Sequence, residues 1–133
     1  EGLQFTYHNH HHEFEKNFNG KSGMEILLES TPEDTFGLLP DLYWLQYAGI
    51  IPTQFLKENK ARIKYVHYKD MAVVDRTPTI SAVGEGNMDW KFITEVCNEI
   101  GVEWLAVEQD ICPRDPFDCL ASSRNYLKKI NVG

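Results

Sequence analysis

The sequence predicts a parallel α/β architecture, and two observations carry the prediction. Four short apolar stretches with strand-like alternation recur along the chain, and each is followed by a stretch with helical caps or helical periodicity. No linker and no low-complexity segment interrupts the series, so the units are expected to build one sheet through right-handed crossovers. At 133 residues the chain has the length of about one domain.

The elements follow in order. Residues 3–8 (LQFTYH) alternate as a strand. Residues 22–29 (SGMEILLE) form a helix, with Ser22 as N-cap and Glu25 three residues on in the capping-box arrangement. Residues 35–39 (TFGLL) are a second strand running into Pro40 and Asp41. Residues 52–58 (PTQFLKE) start a helix with proline in the first turn, where no backbone donor is lost. Residues 62–68 (RIKYVHY) are a third strand, and a long polar loop is expected over 71–87. Residues 90–100 (WKFITEVCNEI) carry Phe92, Ile93, Val96, Cys97 and Ile100 as one apolar stripe, and Gly101 stops the helix. Residues 104–108 (WLAVE) are the fourth strand. A last helix spans 118–130, its Lys128-Lys129 end matching the helix dipole.

Composition narrows the function. With 42% hydrophobic and 25% charged residues the chain is that of a globular protein. Its net charge of −7 lacks the basic face that a nucleic-acid backbone requires. No apolar run approaches the ~18 residues of a membrane span. Cys97, Cys112 and Cys119 are odd in number and widely spaced, which favours free thiols in a reducing compartment and points to the cytoplasm. The absence of an initiator methionine leaves open an exported form whose leader has been removed.

Four of the five histidines stand in YHNHHHEF, residues 7–14. Alternating apolar residues lead into this stretch and Phe14 and Phe18 follow, a context foreign to a terminal affinity tag. The strand ends explain it better. They are His8 and His10, then Asp41, then His67, then Glu108, a potential metal ligand on every strand, at spacings of 33, 26 and 41 residues from His8 onward. In parallel α/β folds the loops at the carboxyl ends of the strands converge on one face, and ligands bind there. Two imidazoles and two carboxylates without a thiolate suit Mn²⁺, Zn²⁺, Co²⁺, Fe²⁺ or Mg²⁺ better than Ca²⁺ or an all-cysteine zinc site. Such an ion is a Lewis acid toward a carbonyl or hydroxyl of a polyol.

Taken in order, YHNHHHEF, LPDLYWLQYAG, RIKYVHYKD, AVGEGNMDW and AVEQD resemble successive signatures of the sugar phosphate isomerase/epimerase family with a xylose-isomerase-like TIM barrel, which includes type IV apurinic endonucleases and inosose dehydratases. The resemblance covers nearly the whole chain. It implies a single partial domain over 1–133, the C-terminal half of the barrel, with strands 5–8 present. It places metal ligands on Asp41, His67 and Glu108. The strand-5 ligand is usually glutamate, and His8 stands there, so the fourth ligand is His8, His10 or Glu13. Endonuclease members carry further histidines where this chain has Trp44 and Ile80, which disfavours an abasic-site endonuclease.

The resemblance implies a divalent-metal-dependent isomerase, epimerase or dehydratase acting on a small sugar, sugar phosphate or keto-sugar, with Glu108 and His8 as the acid/base pair. The alternative is a catalytically inactive sugar-binding or structural half-domain. Lys69 shares a strand face with His67 and is a candidate for a substrate oxygen or phosphate. Trp44 is a candidate for stacking on a sugar, and His10 and Glu13 for substrate contacts. Gly84-Glu85-Gly86 is read as a turn and not a phosphate cradle, because the glutamate repels phosphate. Half a barrel leaves two unpaired parallel edges. The expected partners are therefore a small carbohydrate and either an N-terminal half-barrel or a second copy of the chain, with no nucleic acid and no membrane. The 133-residue chain alone is expected to be inactive.

Overall fold

The structure, a computed structural model, describes residues 2–132; Glu1 and Gly133, the two ends of the expected partial domain, lie outside the described residues. Among the described residues six strands and five α-helices follow one another: β1 (Thr6–His8), α1 (Gly23–Ser30), β2 (Gly37–Leu39), α2 (Leu42–Tyr47), α3 (Pro52–Glu58), β3 (Tyr65–Tyr68), β4 (Asp70–Val74), β5 (Thr77–Ser81), α4 (Trp90–Ile100), β6 (Trp104–Val107) and α5 (Pro116–Lys129). β1 pairs parallel with β2, in the register Thr6–Gly37 to His8–Leu39. β3 pairs parallel with β6, from Tyr65–Trp104 to Tyr68–Val107. Parallel bridges between Leu38 and Ile63 and between Asp41 and His67 join the two pairs.

The parallel strands therefore lie side by side in chain order, β1-β2-β3-β6. An open doubly wound sheet reverses its strand order at a switch point. Here the order does not reverse, as in a barrel wall. Among the described residues no strand pairs with the outer edge of β1 or of β6.

Alternation sets the two faces of this wall. Leu38, Val66 and Tyr68 turn outward into a core with Leu42, Leu45, Leu56, Trp90, Ile93 and Val96 from the helices. Thr6, Leu39, Tyr65, His67, Trp104 and Ala106 line a groove on the inner face. Trp104 is 66% exposed there, a large aromatic on a face that a closed barrel would bury.

Local signals account for most helix ends. The capping box forms as expected: the Glu25 amide donates to Ser22 Oγ at 3.1 Å and the Ser22 amide to Glu25 Oε2 at 2.7 Å. α5 starts earlier than the expected residue 118, because Asp115 accepts from the Phe117 and Asp118 amides and Pro116 takes the first turn. The α4 stripe is corrected in one place. Phe92 is exposed and borders a groove with Gln46, Ile51 and Met88, while Trp90 is buried in its stead.

Two elements escaped the sequence reading. Helix α2 follows Asp41, which caps it through Tyr43 and Trp44 amides on Oδ1. The expected polar loop over 71–87 is instead largely the antiparallel hairpin β4–β5. Its two-residue turn, Asp75-Arg76, has both φ angles positive (48° and 65°), as a twisted hairpin requires. Neither residue is the glycine that signals such a turn. No helix among the described residues is long and apolar enough to cross a membrane.

The segment after the hairpin folds around a buried carboxylate. Asp70, fully buried, accepts from the amides of Met71 (2.7 Å), Gly84 (2.8 Å), Gly86 (3.0 Å) and Met88 (3.3 Å). A Cβ on Gly86 would lie 2.4 Å from Asp70 Oδ1, and one on Gly84 2.1 Å from the Tyr126 ring. The glycines are thus needed for close approach. The loop's amides cradle the carboxylate of Asp70 from the same chain.

Candidate metal centre

Strand parity brings the site together. His8 ends β1, Asp41 follows β2 by two residues, His67 is in β3, and Glu108 follows β6 directly, all at inner-face positions and at one end of the wall. One ligand atom from each of His8, Asp41, His67 and Glu108 lies within 4.8 Å of the others. This group can hold a metal ion.

Each member is held by its surroundings. Asp41 is fully buried; its amide donates to Asn9 Oδ1 (3.1 Å) and its Oδ1 is committed to the α2 cap. Oδ2 is left facing the site, 3.3 Å from His8 Nε2 and 3.9 Å from His67 Nδ1. The His67 amide donates to the Pro40 carbonyl at 2.9 Å, locking β3 to the β2 end. Asn9 and Pro40 are therefore part of the positioning. Their role depends on partners more than twenty residues away.

The donor set fits a divalent cation. His67 Nδ1 and Glu108 Oε2 are buried, stand 3.4 Å apart, and have no hydrogen-bond partner. Lys69 Nζ lies 2.7 Å from Glu108 Oε2 as an ion pair but outside hydrogen-bond geometry. The buried imidazole nitrogen has no partner, and a cation between it and Glu108 Oε2 would join both.

Electrostatics follow from this crowding. Burial works to raise the Asp41 pKa, yet the His8 hydrogen bond and the Lys69 ammonium outweigh it and hold the carboxyl below its ordinary value. Burial and the neighbouring Asp110 carboxylate push Glu108 up to about 7, against the pull of Lys69. Burial, reinforced by neighbouring His8, lowers the His67 pKa. Burial and His8 also lower that of His10.

Of the other candidates, Lys69 is no solvated loop lysine. It is 1% exposed, and its Nζ reaches Asp41 Oδ2 (3.0 Å), Glu108 Oε2 (2.7 Å) and Asp110 Oδ2 (2.7 Å). His10 lies beside the group, its ring 5.0 Å from His8 and 5.2 Å from Trp44. Glu13 is turned away: it accepts from Tyr7 Oη (2.9 Å) and the His10 amide (3.0 Å), so it braces the histidine turn. Neither His10 nor Glu13 is in the four-atom group. Trp44 packs with His10, His11 and Tyr47, and its indole nitrogen is buried without a partner. Asp110 was missed by sequence reasoning. Its only signal was its place two residues after Glu108. Cys97, Cys112 and Cys119 are free thiols.

Fold and site together define the class: consecutive parallel strands of half a (β/α) barrel, each carrying a metal-type ligand at the carboxyl end of the wall. Comparison with known proteins agrees. No protein-family model matches the chain. Inosose dehydratases of Clostridium botulinum (strain Alaska E43 / Type E3) and Lacticaseibacillus casei are both 27% identical to it, covering 96% and 95% of this chain and 48% and 47% of their own lengths. A sugar phosphate isomerase/epimerase structure from Parabacteroides distasonis ATCC 8503 matches with a TM-score of 0.76 at 27% identity, over 96% of this chain and 45% of that one. A xylose isomerase domain protein from Planctomyces limnophilus shares the fold, with a TM-score of 0.71 at 16% identity, over 97% of this chain and 45% of its own.

The chain's homologues are thus inosose dehydratases and sugar phosphate isomerase/epimerase proteins, and its fold is half of a xylose-isomerase-like TIM barrel. It spans about half the length of the curated relatives it matches. Those relatives are named as dehydratases and as sugar phosphate isomerase/epimerase proteins.

Proposed function

We propose that the protein is a divalent-metal-dependent isomerase, epimerase or dehydratase of a small polyhydroxylated ketone, a keto-sugar or a sugar phosphate. One observation carries the reading: ligand atoms of His8, Asp41, His67 and Glu108 gather within 4.8 Å at the carboxyl ends of four parallel strands. These four residues would hold the ion, which supplies Lewis-acid polarisation of a substrate oxygen. Glu108 takes or returns a proton at the carbon next to the substrate carbonyl, and His8 is its acid/base partner. Lys69, Trp44 and His10 border the space where the substrate's remaining oxygens and apolar face would lie.

All three reactions begin with loss of a proton next to a carbonyl, so one experiment tests them together. The full-length protein, incubated in D₂O with inososes and ketoses, is expected to place deuterium at that carbon. Exchange should stop on removal of divalent ions with EDTA and return with Mn²⁺ or Zn²⁺. Exchange that survives chelation defeats the metal reading; sugar binding without any exchange favours the non-catalytic alternative.

The partners of this half-barrel belong to the same reading. The open outer edges of β1 and β6 and the exposed inner-face Trp104 are surfaces for further βα units, from the same polypeptide or a second copy. The isolated 133-residue chain is expected to sediment as a dimer or larger, or to bind a hydrophobic dye. A dye-negative monomer of 15.4 kDa would sink this expectation.

A further inference from the structure

We infer that Lys69 is a displaceable internal counter-cation of the metal-ligand set, and that Asp110 is the positioning residue that receives it; the inference rests on the divalent-metal reading above. An ammonium has three donors. Lys69 Nζ faces three carboxylate oxygens, at 3.0 Å (Asp41 Oδ2), 2.7 Å (Glu108 Oε2) and 2.7 Å (Asp110 Oδ2), so its charge is shared among them. Asp41 and Glu108 are members of the four-ligand group; Asp110 is not.

The ammonium therefore competes for oxygens that an ion would take. A cation bonded to them at about 2 Å would lie within a few ångströms of Nζ, where two positive charges repel strongly. Only the contact with Asp110 has full hydrogen-bond geometry. The Asp110 side chain is 49% exposed on the loop after β6, and the lysine stem is flexible. Lys69 can thus release Asp41 and Glu108 without losing its counter-charge. The Trp44 ring, 5.4 Å from Nζ, flanks the ammonium with a π face.

Once Lys69 has withdrawn onto Asp110, two of its three donors are free for substrate oxygens. The lysine holds the carboxylates together before the ion is bound and serves the substrate afterwards.

The test is Mn²⁺ binding to the full-length protein, followed by calorimetry, for the parent, Lys69→Met, Asp110→Asn and the double variant. Lys69→Met, freed of the competing charge, should bind Mn²⁺ roughly tenfold more tightly or better, and Asp110→Asn roughly tenfold more weakly. The Asp110→Asn penalty should shrink below about threefold in the Lys69→Met background, because its effect runs through the lysine. Folded Lys69→Met protein that binds Mn²⁺ no better than the parent overturns the inference, as does an equal Asp110→Asn penalty in both backgrounds. If Lys69→Met does not fold, Asp110→Asn decides alone: unchanged or tighter binding overturns the inference. A parent that binds no divalent ion defeats the metal reading itself, and this inference with it.

Discussion

Replacing Glu108 with glutamine is expected to lower turnover by roughly a thousandfold while leaving the protein folded. Glutamine keeps the shape of the side chain but cannot accept a proton or carry the charge that a ligand needs. Both proposed duties of Glu108 are lost together, which is why the effect is larger than for a residue with one duty. The fold should survive, because Glu108 is partly exposed at the strand end and Lys69 keeps Asp41 and Asp110 as partners. The measurement is deuterium incorporation into substrate by the full-length variant, with Mn²⁺ affinity and thermal melting recorded alongside. Activity within tenfold of the parent in a melt-matched variant would remove Glu108 from the chemistry.

The largest expected effect on stability lies elsewhere, at Arg62. Its guanidinium is buried with no carboxylate among its hydrogen-bond partners. Nη1 donates to Thr31 Oγ1 (3.3 Å) and the carbonyls of Pro32 (3.0 Å) and Phe36 (3.1 Å), and Nη2 to the carbonyls of Leu28 (3.0 Å) and Thr31 (2.7 Å). Leu28 is in the last turn of α1, so the arginine closes carbonyls that the helix end leaves open and complements its dipole. Arg62→Met should cost about 2–4 kcal/mol, since four carbonyls lose the charged donor of a buried guanidinium. Arg62→Lys should recover only part of that, because an ammonium cannot span the fork. Urea unfolding monitored by tryptophan fluorescence checks both; a loss below about 1 kcal/mol for Arg62→Met would show that water replaces the guanidinium freely.

Much of the site was legible because strands impose a period of two and parallel sheets collect their carboxyl ends on one side. His8, Asp41, His67 and Glu108 could be singled out before any coordinates, from their phase relative to four apolar stretches. Lys69 could be placed on the same face as His67 by the same parity. The capping box of α1, the proline start of α3 and most of the α4 stripe were equally local. They involve residues a few positions apart, whose contact follows from helix geometry alone.

What sequence by itself determined is therefore the order of the βα units, the face on which the ligands stand, and the class of chemistry that their side chains support. Tertiary structure alone decided where each charge finds its partner. Arg62 reads as the first residue of a strand, yet it closes the end of α1. Gly84-Glu85-Gly86 reads as a bare turn, yet its amides hold Asp70 from across the hairpin. Lys69 reads as a candidate for a substrate oxygen or phosphate, yet Asp41 and Asp110, 28 residues before it and 41 after, enclose it. The physical reason is the same in each case. A strand's period fixes the direction of a side chain, but burial and the need to pair buried charge depend on atoms brought close only by packing.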